Sequence, residues 1–135
     1  MKTYVLDASA LMSFFEDSAG AAKVEELLRK AAEANQFLLL SVVNWGEVYY
    51  ALWRIHGESV ANHKLLEIAQ LPIELIDADT TMAKVAATLK ATLRLPYADC
   101  FAAAIAQLRR ATVVTTDRDF VKAEKIIDIL WARDR

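Results

Sequence analysis

A chain of 135 residues with 56% hydrophobic and 25% charged residues has the length of one domain and is too apolar to remain disordered. Three glycines and two prolines exclude collagen-like, linker-rich and glycine-loop architectures. A single cysteine, Cys100, and two histidines, His56 and His63, exclude a disulfide framework and a Cys- or His-built zinc site. The net charge of -2 argues against a protein that coats nucleic acid through bulk charge.

The chain opens on Thr3 to Asp7, a short β-favouring run ending in an acid. Ser9 to Phe15 reads as a short helix. Gly20 to Ala34 is strongly helical, with Val24, Leu27, Leu28 and Ala31 at helical spacing. Phe37 to Ser41 is an apolar run of strand length. Ser41 or Asn44 caps the next helix, which runs to Ile55 with Gly57 as its stop. Glu58 to Gln70 is a further helix, ended by Pro72. Ile73 to Ile76 is a third strand. Asp79 caps a helix to Leu93, and Pro96 suits the first turn of a helix through Arg109. Thr112 to Thr115 is a strand, Asp117 to Lys122 a helical turn, and Ile126 to Leu130 a last strand. Short strands, apolar on both faces, alternate with helices. The expected architecture is therefore α/β: a single three-layer domain over residues 1–135, with a central parallel sheet of about five short strands flanked by helices.

No run approaches the ~18 apolar residues of a membrane span. Met1 to Phe15 is broken by Asp7 and has no basic segment leading an apolar one, so no signal peptide is expected. The expected compartment is a reducing cytoplasm.

Ligands of open α/β sheets sit beyond the carboxyl ends of the strands. Asp7 and Ser9 follow the first strand there. Thr115, Thr116, Asp117 and Asp119 end the fourth. Glu47 rides on the helix after the second strand, and Asp99 lies in the first turn of the helix from Pro96. Each acid has an ordinary explanation. Asp7 and Asp117 suit helix caps, Glu47 suits a solvated helix face, and Asp99 suits the positive end of its helix. Asp99, however, is followed by Cys100 to Ala106, apolar on every side. Its helix should be buried, and an unpartnered charge there is costly.

If the four acids converge, their repulsion demands a cation. Two carboxylates ~4 Å apart repel by about 4 kcal/mol at an effective dielectric near 20. An all-oxygen donor set favours Mg2+ or Mn2+ over zinc. The chemistry natural to such an ion is in-line phosphodiester hydrolysis by activated water, with no nucleophilic side chain.

The ordered segments VLDASALMSFF, SVVNWGEVYYAL, LPYADCFAAAIA and VVTTDRDF resemble the PIN domain family, in particular the VapC-type toxins of toxin–antitoxin pairs. The likeness runs from Tyr4 to Phe120. No single motif is specific; four in order at matching separations are. The resemblance implies Asp7, Glu47, Asp99 and Asp117 as catalytic metal ligands, Thr115 and Ser9 as supporting hydroxyls, and Asp119 as a secondary acid. It further implies a Mg2+-dependent ribonuclease, homodimeric, with an RNA substrate and a cognate antitoxin that occupies the cleft.

Residues 82–135 hold 10 basic and 6 acidic residues, against 6 and 12 in residues 1–81. Arg109, Arg110, Arg118 and Lys122 are accordingly candidates for RNA phosphate contacts, or ordinary solvated charges. Tyr49, Tyr50 and Trp53 lie on one flank of the Glu47 helix, Tyr49 and Trp53 inclining to the core. Cys100 reads as packing. Three other readings compete. A receiver-like signalling domain lacks its acidic pair after the first strand and its late lysine. A haloacid-dehalogenase-type phosphatase lacks Asp-x-Asp, since Asp7 is followed by Ala8 and Ser9. A non-catalytic PIN-fold binding module would have no need of intact acids. Gly20, Gly46 and Gly57 form no phosphate-cradling loop.

Overall fold

The computed structural model describes residues 2–133. Its elements run β1 (Tyr4–Leu6), α1 (Ala8–Phe15), α2 (Ala21–Glu33), β2 (Leu38–Ser41), α3 (Val42–His56), α4 (Glu58–Gln70), β3 (Ile73–Ile76), α5 (Thr80–Leu93), α6 (Tyr97–Arg109), β4 (Thr112–Thr115), a 3-10 helix (Arg118–Ala123) and β5 (Ile129–Trp131). All strand pairings are parallel, and the five-stranded sheet has the order β3-β2-β1-β4-β5. The chain winds outward from β1 to β3, crosses back over β1, and winds outward again through β4 and β5. The switch point therefore falls between β1 and β4, the place beyond the strand ends where open α/β sheets bind ligands. This order differs from the 2-1-3-4-5 order of receiver domains, which removes that alternative.

Side chains alternate across each strand and so feed two cores. Val5, Leu39 and Val113 pack with α5 and α6 through Met82, Ala86, Leu89 and Cys100 to Ala106. Leu6, Leu40 and Val114 pack with Val24, Leu27 and Leu28 of α2 and with Val48 and Leu52 of α3. The strands β1, β2 and β4 are buried almost throughout, as parallel strands between helix layers are. The edge strands are not: β3 exposes Glu74 and Leu75, and β5 is half-buried.

Side-chain oxygens start three of the helices. Asp7, Ser41 and Asp79 accept from the backbone N–H groups of Ala10, Val43 and Met82, satisfying donors that a helix leaves free. The α3 cap is thus Ser41, which leaves Asn44 inside the helix. Gly57, at φ 91°, joins α3 directly to α4 in a backbone region that disfavours side chains. Pro96 is the residue before α6 and not part of its first turn.

Two further expectations need correction. The last strand begins at Ile129, because the N–H groups of Ile126 and Ile127 both turn back to the Ala123 carbonyl at 3.0 Å. That leaves them unable to pair with β4. Trp53 is not core: it is 43% exposed, Ile55 59% and Leu66 67%, while Tyr49 is half-buried. The α3–α4 pair carries apolar side chains on its outer face as well as its inner one. Among the described residues, no helix is long and apolar enough to cross a membrane.

Candidate metal centre

Asp7 continues the line of β1, its N–H donating to the Val114 carbonyl at 3.2 Å. Its side chain is buried and holds several hydrogen bonds at once. Oδ1 accepts from Ala10 N at 2.8 Å and from Ser9 Oγ at 2.8 Å, and Oδ2 accepts from Thr115 Oγ1 at 2.5 Å. Asp7 is therefore both the cap of α1 and a buried anchor at the switch point between β1 and β4. The two hydroxyls are held in turn from the opposite strand. Thr116 N donates to Ser9 Oγ at 3.0 Å, and Asp117 N donates to Thr115 Oγ1 at 2.9 Å.

Asp117 caps the 3-10 helix by accepting from Asp119 N at 2.9 Å. That turn swings Asp119 back toward Asp99. One carboxylate oxygen from each of Asp99, Asp117 and Asp119 lies within 4.8 Å of the others. At that separation each ionised pair repels by about 3 kcal/mol at an effective dielectric near 20. Asp99 enters from the first turn of α6. It is only 8% exposed, and its Oδ2 has no hydrogen-bond partner.

The electrostatics follow from burial and crowding. Burial pushes the Asp99 carboxyl up to about 8, with the charges of Asp7, Asp117 and Glu47 adding to it. Asp7 is pushed up to about 6, again chiefly by burial. The hydrogen bonds from Thr115, Ala10 and Ser9 pull it back down, because they favour the charged form. The four expected acids thus act on one another at one place. Their roles in the geometry differ from the expected quartet, however. The close trio includes Asp119, whereas Asp7 and Glu47 are tied to neighbours beside it.

Glu47 is oriented by a residue that sequence reasoning passed over. Asn44 is fully buried one helical turn earlier. Its Nδ2 donates to Glu47 Oε1 at 2.8 Å and to the Ala98 carbonyl at 3.1 Å, one residue before Asp99. It pins α3 to the start of α6, while its Oδ1 is buried without a partner. The readable signal was an amide three residues ahead of Glu47 in a helix that Ser41 already caps.

The basic candidates divide. Arg118 is exposed directly after Asp117, and Lys122 lies 3.9 Å from Asp119. Arg109 and Arg110 are at the other end of α6, about 15 Å along the helix from Asp99. There they border the entry side of the sheet, beside Phe37 and Glu74 and beside Ile127 and Asp128 respectively. They are not brought to the acids.

The PIN domain family matches residues 4–126, and the chain belongs to that family. No curated protein sequence matches it. Among solved structures, the chain is similar to a toxin–antitoxin complex from Klebsiella pneumoniae. The two share 21% identity at a TM-score of 0.70, over 98% of this chain and 100% of that one. It is also similar to VapBC2 from Rickettsia felis bound to a promoter DNA fragment, at 19% identity and a TM-score of 0.74 over 96% and 98% of the two chains. A third is VapC20 from Mycobacterium tuberculosis, a sarcin–ricin loop cleaving toxin, at 16% identity and 0.66 over 90% and 95%. At these identities the likeness is one of fold.

Proposed function

We propose that this chain is a Mg2+-dependent endoribonuclease, with Mn2+ as a substitute, and the toxin of a toxin–antitoxin pair. The observation that carries the reading is the state of Asp99. It is buried, has an oxygen without a partner, and stands among Asp7, Glu47, Asp117 and Asp119. An orphaned acid in an all-oxygen cluster fits a hard divalent cation; the neighbouring Cys100 thiol is turned to the Leu95 carbonyl and is not part of the cluster. Asp99 and Asp117 would hold the ion, with Asp119, Asp7 and Glu47 completing its surroundings. When bound, such an ion neutralises phosphate oxygens and draws the pKa of a water toward neutrality.

The remaining work falls to the chain's own groups. Thr115 and Ser9 hold the Asp7 carboxylate charged and in one orientation. Asn44 orients Glu47 by donating to one of its carboxylate oxygens. Arg118 and Lys122 flank the acids and supply the positive charge that a polyanionic strand needs near five carboxylates.

Fold neighbours that occur as toxin–antitoxin complexes support an antitoxin partner. The exposed Tyr50, Trp53 and Leu66 provide apolar surface for association, in keeping with a homodimer. The expected place of action is the cytoplasm, where the RNA is. The test is incubation of the purified protein with total RNA in Mg2+ or EDTA, followed by mapping of cut ends. Discrete cuts that require the metal, and vanish in Asp99→Asn, are the expected result. Metal-independent cleavage, or none at all, would overturn the reading.

A further inference from the structure

Beside the acid cluster, between the 3-10 helix and the edge strand β5, lies a cavity of about 760 Å3. Trp131 lines it from β5, where it is the register partner of Thr115 on β4. Thr115 is the hydroxyl that holds Asp7. Side chains alternate along each strand, and Val113 and Ile129 share the core formed with α5 and α6. Thr115 and Trp131 therefore project to that same face, one strand spacing of about 4.8 Å apart. The indole is fixed in place. Its Nε1 donates to Glu124 Oε2 at 3.3 Å, and the Arg133 guanidinium lies 4.8 Å from the ring centre. Arg133 also donates to the Thr116 carbonyl at 3.3 Å, which ties it to the strand end that carries Asp117. Arg118, the residue after Asp117, borders the same cavity.

We propose that this groove receives a nucleotide of the RNA strand flanking the phosphate that is cut, its base stacking against Trp131 and its phosphates meeting Arg118 and Arg133. The proposal rests on the ribonuclease reading above and adds where the substrate strand runs. Three observations favour single-stranded RNA as the occupant. The groove reaches Arg118, the residue between Asp117 and Asp119 of the acid cluster. It offers an immobilised aromatic face of the kind on which unpaired bases stack. It also carries two arginines against one glutamate, and that glutamate is engaged by the indole, next to a centre whose own charge repels a polyanion.

The experiment titrates the full chain in EDTA with a short fluorescent single-stranded oligoribonucleotide, read by anisotropy, and separately measures Mg2+-dependent cleavage. Trp131→Ala is expected to weaken binding about tenfold to a hundredfold and to raise KM while leaving kcat near its original value. Trp131→Phe, which keeps an aromatic face, should retain most of the affinity. Arg118→Gln and Arg133→Gln should each weaken binding and reduce the salt slope by about one. Wild-type affinity and KM in Trp131→Ala, with RNA still cut, would overturn this inference and spare the nuclease reading. A wild-type chain that neither binds nor cuts RNA would overturn both. Should Trp131→Ala fail to fold, the two arginine variants decide: unchanged affinity and salt slope in both would refute the groove.

Discussion

Thr115 Oγ1 donates to Asp7 Oδ2 at 2.5 Å, joining residues 108 positions apart in sequence. The same oxygen accepts from Asp117 N at 2.9 Å. One hydroxyl thus locks the acid after β1 to the acid after β4.

Thr115→Val keeps the shape and deletes both bonds. Buried groups left unpaired cost about 1–3 kcal/mol, measurable by chemical denaturation. Because the Thr115 bond favours charged Asp7, its loss raises the Asp7 pKa further. The acid limb of the pH–rate profile at saturating Mg2+ should then move to higher pH, with Thr115→Ser restoring it. An unmoved limb would show that Thr115 does not tune Asp7.

The crowded acids also set the stability of the metal-free protein. Asp7 titrates near 6 and Asp99 near 8 in the fold, against an ordinary 3.8. Between about pH 4 and pH 8 the native state therefore binds more protons than the unfolded one, and stability falls as pH rises through that window. In EDTA the Tm should decline from acid to mildly basic pH. Asp99→Asn should flatten the decline and melt above wild type at the basic end. Mg2+ should raise the wild-type Tm by binding the native state and have little effect on the variant. A wild-type Tm that is level across the window, and indifferent to Mg2+, would count against the centre.

Asn44→Ala removes the donor to Glu47 and to the Ala98 carbonyl. A loss of about 1–3 kcal/mol is expected, along with a fall in kcat, because Glu47 is no longer aimed. If denaturation midpoint and kcat are both unchanged, the amide is a bystander.

Gly20 precedes α2 at an ordinary φ of -88°, so conformational freedom is not its purpose. A Cβ there would run into the Ala132 carbonyl oxygen and Thr116 Cγ2. Gly20→Ala should destabilise by about 1–3 kcal/mol through overpacking. A differential scanning measurement within error of wild type would refute that close approach.

Local chemistry made most of the fold legible. The caps at Asp7, Ser41 and Asp79 and the stop at Gly57 are written in single residues. Errors arose where a tertiary partner decides. Ile126 and Ile127 look like strand residues, but the carbonyl of Ala123 claims their N–H groups. Trp53 looks like core, but it lies on a side of α3 that its packing partners leave exposed. In the site, Asp7, Asp99 and Asp117 stood out as candidates from their place at strand ends and on a buried helix, and Glu47 chiefly through the family resemblance. That Asp119 stands in the close trio, with Asp7 tied to hydroxyls beside it, depends on side-chain orientation, which no spacing encodes. Asn44 was hidden because its second partner, Ala98, lies 54 positions away.

Because β1 lies at the middle of the sheet, flanked by β2 and by the much later β4, the acids cannot be brought together until residues 112–119 have been added to the chain. A nascent chain lacking residues 112–119 has one side of β1 open and Asp7 without Thr115, so it carries no assembled centre while it is being translated. The centre is assembled only when β4 docks beside β1.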